Sequence, residues 1–121
     1  MEFDRWTVLL LRRTENAPAL SDAERDRVQD EHLAYLSKRH TDGTLVAAGP
    51  VESTGPRKIV GICIYRVGVD EARALGEQDP AVRAGQLSAE VFSWSVPQGS
   101  FTPGSARFPR SMAEATGRDE G

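Results

Sequence analysis

Residues Lys58 to Val67 read K-I-V-G-I-C-I-Y-R-V, and their run of β-branched and bulky apolar side chains makes this the clearest strand in the chain. Successive side chains of a strand point to opposite faces, so Val60, Ile62 and Ile64 share one side while Ile59, Cys63 and Tyr65 share the other. Both sides are apolar. The same holds for Trp6 to Arg12 (W-T-V-L-L-L-R), where Trp6, Val8 and Leu10 oppose Thr7, Leu9 and Leu11. An antiparallel sheet with helices on one face usually turns a polar face to water. These strands instead need cover on both faces, and in a chain of 121 residues the available cover for the second face is another copy. The competing reading is a C-terminal tail folded back over the sheet.

The segments around this strand supply the helices. S-D-A-E at Ser21 to Glu24 is a capping box, with Ser21 as cap and Glu24 reaching back to it. The helix it starts places Val28, His32, Tyr35 and Leu36 in one stripe and stops at T-D-G, Thr41 to Gly43. Leu45 to Ala48 forms a short strand ended by Gly49-Pro50. Val69 to Glu77 is helical, with acidic residues in its first turn. D-P-A-V-R-A-G then reads as one helical turn, capped by Asp79, with Pro80 at the first position and Gly85 as terminator. Gln86 to Val96 is the last strand. The order β-α-β-β-α-β predicts a ferredoxin-like α+β sandwich over residues 1–97, with a four-stranded antiparallel sheet. Residues 98–121, rich in Gly, Pro and small polar residues, predict a flexible tail pinned by Phe101 or Phe108.

The composition narrows the function. Fifteen basic residues against eighteen acidic ones leave a net charge of -3, without the basic excess that a nucleic-acid partner requires. The single Cys63 builds neither an intrachain disulfide nor a cysteine-based metal site, which suits a reducing compartment. No apolar run approaches the roughly 20 residues of a membrane span, and the opening M-E-F-D-R-W is acidic where a signal peptide is positive. The expectation is a soluble, cytoplasmic protein with no membrane partner.

His32 is the residue with the most chemistry to offer. A histidine in an apolar stripe is a hydrogen-bonded core residue unless a partner directs it, and a carboxylate that fixes its tautomer turns it into a group ready for proton transfer. Asp79 is the candidate partner, although from spacing alone it reads as a cap before Pro80, a role compatible with facing His32. Around this pair, Gly49 and Pro50 are read as shaping the end of a strand, Tyr35 as a phenolic donor, Arg66 as an anion contact and Trp94 as an aromatic wall. Each has a plain alternative in a turn, in core packing or at a strand end. Cys63 reads as a small buried hydrophobe, and His40 as a solvated cation at the helix end. His32 and His40, eight residues apart, do not make a zinc site, so no metal is expected.

Taken together, H-L-A-Y-L at His32 to Leu36, G-T-L-V-A-A-G-P at Gly43 to Pro50, E-A-R-A-L-G-E-Q-D-P-A-V-R-A-G at Glu71 to Gly85 and the closing V-F-S-W-S-V resemble the YCII-related (YciI-like) family. The resemblance runs from about Trp6 to Pro97. The branch with a D-G-P-F motif is not matched, since Thr54-Gly55-Pro56 is the nearest approach. The resemblance implies a dimeric α+β barrel of ferredoxin-like protomers and a His-Asp pair in a pocket, mapping onto His32 and Asp79. It also implies proton transfer coupled to elimination on small, often hydroxylated ring compounds, without metal or organic cofactor.

Two functions follow. One is a cofactor-independent lyase, isomerase or dehydrochlorinase-like enzyme in which His32 moves a proton and Asp79 orients it. The alternative is a non-catalytic module whose dimer binds a small metabolite, with His32 as a polar anchor. A haem- or oxygen-using monooxygenase is the third reading, and it would need His32 or His40 as an axial ligand.

Overall fold

The computed structural model describes residues 1–117. Its elements are β1 (Phe3–Arg13), α1 (Asp22–Thr41), β2 (Leu45–Pro50), β3 (Ile59–Tyr65), α2 (Val69–Glu77), α3 (Pro80–Arg83), β4 (Leu87–Pro97) and α4 (Met112–Ala115). The four strands form one sheet in the order β2-β3-β1-β4, with every neighbouring pair antiparallel. This is the expected α+β, ferredoxin-like arrangement. β1 and β4 pair along their whole length, from Phe3 opposite Pro97 to Arg13 opposite Leu87.

Several boundaries differ from the sequence reading, each for a local reason. β2 continues through Gly49 and Pro50, which face Ile62 and Gly61 across the β2–β3 ladder. Pro50 lacks an amide to donate but sits at the strand's last position, where that costs little. β3 ends at Tyr65, although the Arg66 amide still donates to the Thr44 carbonyl at 2.8 Å. The β1–β3 register slips between Leu11 and Arg12, so Arg12 pairs with Ile59, and Val60 packs against the helix-side core. Face alternation therefore fails at the strand's first two residues.

Both main helices lie on one face of the sheet: α2 packs on β1 and β4, and α1 on β2 and α3. The core between the layers is built from Leu9, Leu11, Leu45, Cys63 and Tyr65, closed by Leu36 from α1 and Ala72 from α2. α1 begins with the capping box read in the sequence, Ser21 Oγ accepting from the Glu24 amide at 3.1 Å and Glu24 Oε1 from the Ser21 amide at 3.2 Å. Over its 20 residues it buries only His32 and Leu36. α1 is thus held off the sheet rather than pressed onto it, and space remains beneath.

The segment after β4 runs back across the molecule. The Gln98 amide donates to the Glu2 carbonyl at 3.0 Å, and Phe101 meets Trp6 and Trp94 edge-on, at ring separations of 5.1 and 5.7 Å. Phe108 stacks flat on His40 at 4.0 Å, and the Met112 amide donates to Asp30 at 2.9 Å. His40 does not face solvent as a helix-end cation, since its ring nitrogens lie 2.9 Å from the Leu45 carbonyl and 3.1 Å from that of Ala106. Residues 118–121 of the expected tail lie outside the described residues.

α2 rests close against the sheet at Gly76. A Cβ there would stand 2.6 Å from the Leu9 Cδ1 and 3.3 Å from the Ala89 Cβ. Leu9 is fully buried and has nowhere to retreat. Gly76→Val is expected to lower stability by about 2 kcal/mol, the overpacking cost outweighing the helix propensity gained. Urea denaturation of the variant beside the wild type checks this.

Candidate active site

Asp79 is placed by a short-range device. α2 ends at Glu77, Asp79 is extended (φ -60°, ψ 128°), and its Oδ1 accepts the Ala81 amide at 2.9 Å while Pro80 opens α3. The cap is real, and the same carboxylate has a second role. Both of its oxygens lie 2.8 Å from Nδ1 of His32. Asp79 is only 2% exposed and His32 8%. A carboxylate withdrawn this far from water needs charge-assisted partners, and the amide and the imidazole supply them.

The pairing bears on the tautomer of the imidazole. A carboxylate accepting from Nδ1–H fixes the tautomer in which Nε2 carries the lone pair. Nε2 makes no hydrogen bond among the described residues, and the His32 side chain lines a cavity of about 650 Å³. The cavity is the space left beneath α1. Leu11, Ala48 and Val60 line it from the sheet, Val28 and Leu36 from α1, and Phe108 and Met112 from the C-terminal segment.

The sequence candidates separate cleanly. Gly49 and Pro50 line this cavity beside His32, and Asp79 stands behind the imidazole. Tyr35, Arg66 and Trp94 are not brought to it. Tyr35 Oη donates to the Leu75 carbonyl at 2.6 Å, and burial holds its hydroxyl above the ordinary range. Arg66 is exposed, its guanidinium 5.4 Å from the Trp6 ring, and Trp94 lies on the opposite sheet face against Phe101. Cavity residues that sequence reasoning missed are Arg13, Arg25, Gln86, Leu87, Arg107, Phe108 and Met112. The last three belong to a segment without periodicity, so no pattern marks them in the sequence. Among the described residues no group of three His, Cys, Asp or Glu is placed to hold a metal ion, and no helix is long and apolar enough to cross a membrane.

Cys63 also lines the cavity but is 2% exposed. Burial, reinforced by the charge of Asp79, pushes its thiol up to about 12 from an ordinary 9.0. It is a neutral wall atom and no nucleophile. In the native protein Cys63 is expected to stay silent to a thiol-exchange reagent at pH 8 and to react at once in denaturant. Because the unfolded thiol loses its proton first, stability should also fall as pH climbs from about 9 towards 12. Spectrophotometric thiol titration and denaturant melts across that range test both statements.

The comparisons with known proteins bear on the same span. No curated protein matches the chain. Three chains of solved structures match. One is the 5-chloro-2-hydroxyhydroquinone dehydrochlorinase of Burkholderia phenoliruptrix AC1100, solved in complex with 2,5-dihydroxybenzoquinone. It is 22% identical, has a TM-score of 0.47, and the alignment covers 72% of this chain and 92% of that one. The model of the YCII-related domain matches residues 6–95, a span that holds most of all four strands, His32 and Asp79. With that match over most of its length, the chain belongs to the YCII-related domain family.

Proposed function

We propose that the protein is a cofactor-independent acid–base enzyme acting on a small, apolar, cyclic or aromatic metabolite. The observation that carries this reading is the buried His32–Asp79 contact in the wall of a mostly apolar cavity large enough for such a molecule. His32 Nε2 takes a proton from a carbon made acidic by a neighbouring carbonyl or enol. The imidazolium that results is held by Asp79. The proton then returns at a different carbon, which is an isomerisation. Alternatively the carbanion's electron pair forms a double bond as an adjacent leaving group departs with its own bonding pair, which is an elimination. Positioned acid–base help of this kind is worth ~10²- to 10⁴-fold, enough for a substrate that is already activated.

The test is carbon–hydrogen exchange in D₂O, followed by proton NMR across a panel of enolisable ketones, hydroxylated quinones and chlorinated hydroquinones. Wild-type protein is expected to catalyse exchange or halide release with at least one member. His32→Asn should lose ~10²-fold or more in rate. It should still bind that compound, read from the shifts of cavity methyl groups. Asp79→Asn should lose activity too, but with added loss of stability, since it also removes a helix cap worth ~1 kcal/mol. Binding without turnover by the wild type would instead favour a metabolite-binding module.

We also propose that the working unit is a homodimer joined through the open sheet face. On that face Phe92 is 47% and Trp94 37% exposed, beside Val8, Leu10 and Ile62, which are only half-buried. Phe101 covers Trp6 and Trp94 but not the remainder. Phe92→Glu is expected to convert the dimer to a monomer in size-exclusion chromatography with light scattering. A monomeric wild type at micromolar concentration would end the proposal.

A further inference from the structure

Among the described residues, the charged side chains that line the cavity are all of one sign. Arg13 comes from the end of β1, Arg25 from the first turns of α1 and Arg107 from the C-terminal segment, and all three side chains are exposed. Among the described residues no Asp or Glu lines the cavity, although the protein as a whole is acidic. Arg25 is loosely held: it lies 3.4 Å from Asp22, both side chains at the surface, and such a pair exchanges readily with a ligand. Arg107 is itself exposed but lies 3.4 Å from Glu114, a largely buried carboxylate that it shares with Arg110. The Arg13 side chain makes no hydrogen bond or ion pair among the described residues.

The inner wall has the opposite character. The Asp79 carboxylate stands behind His32, and the cavity lining is mostly apolar. A field therefore runs along the cavity from the cationic mouth to the anionic floor. It would orient a molecule with an anionic group at one end and an uncharged ring at the other.

Building on the proposed acid–base role of the same cavity, we infer that its ligand is an apolar carboxylic acid. Its carboxylate is held at the mouth by Arg13 with Arg25 and Arg107, and its ring is directed inward to Nε2 of His32. The planar guanidinium fork matches a carboxylate in two parallel hydrogen bonds, which fixes register as well as affinity. A neutral ring compound would fill the same volume without that register.

The experiment compares matched pairs: benzoate, cinnamate and 2-naphthoate, each against its carboxamide. Binding is followed by titration calorimetry and by the shift of the His32 ring protons at low ionic strength. The wild type is expected to bind at least one carboxylate tenfold or more tightly than its amide, with the gap narrowing as salt rises. In the combined Arg13→Gln, Arg25→Gln, Arg107→Gln variant, acid and amide should bind alike. These residues are exposed, and an unchanged melting temperature confirms that the variant is folded. Equal binding of acid and amide by the wild type overturns this inference and leaves the acid–base proposal standing. A preference that survives in the triple variant overturns it as well, since the carboxylate is then held elsewhere. If no member of any pair moves the His32 signals, this inference falls, while the acid–base proposal is still decided by its own exchange test.

Discussion

The structure turns on one buried carboxylate. Asp79 is almost wholly withdrawn from water, and a charge in that position costs several kcal/mol unless it is paired. Its two partners come from different elements: the Ala81 amide from the turn it caps and the His32 imidazole from the middle of α1. Satisfying both fixes α3 against α1 and sets how α1 approaches the sheet. A helix that buries just two residues in twenty would otherwise have little to hold it in one place. The same contact leaves Leu36 as α1's contribution to the core and leaves the space under the rest of the helix open. Cavity and pair are consequences of one constraint.

That constraint was half legible in the sequence. D-P-A is a capping signal on any reading, and His32 falls in the apolar stripe of α1, so each residue could be singled out alone. Their meeting is a contact between residues 47 apart in the chain, and periodicity carries no information about it. The fold class was legible: four apolar runs joined by a helix, a turn and a helix admit few topologies. Where the reading failed, the cause was local. Gly49-Pro50 resembles a stop signal, yet a proline at the last position of an edge strand interrupts no ladder bond. Tyr35 shares a face with His32 by helical geometry, but its hydroxyl finds a carbonyl on α2 and turns away from the cavity.

The segment after β4 was the least legible part, because its contacts are single side chains rather than a periodic face. His40 shows why this matters. It lies in K-R-H-T-D, a stretch that reads as a solvated helix end, yet Phe108 stacks on its ring and each of its nitrogens faces a carbonyl oxygen. A neutral imidazole can donate to only one of those oxygens, and an imidazolium donates to both. One of the two carbonyls belongs to Ala106, beside Arg107 and Phe108 in the cavity wall. The outer wall of the cavity is therefore tied to the end of the same helix that carries His32.

The chemistry available in the cavity follows from which groups are silenced as much as from which are poised. Cys63 and Tyr65 are the other ionisable groups in the core near Asp79, and burial pushes both upward, with the carboxylate's charge adding to the effect. Neither competes for a proton near neutral pH. An apolar wall of this kind also weakens screening between the dyad and whatever occupies the cavity, so the small charge shift of a single proton transfer is felt at full strength. A polar lining would have offered more hydrogen bonds to a ligand but would have diluted that effect. Among the described residues the ring nitrogen Nε2 of His32 has no hydrogen-bond partner at this cavity, and under the proposed acid–base reading the low dielectric around it is what gives that nitrogen its leverage.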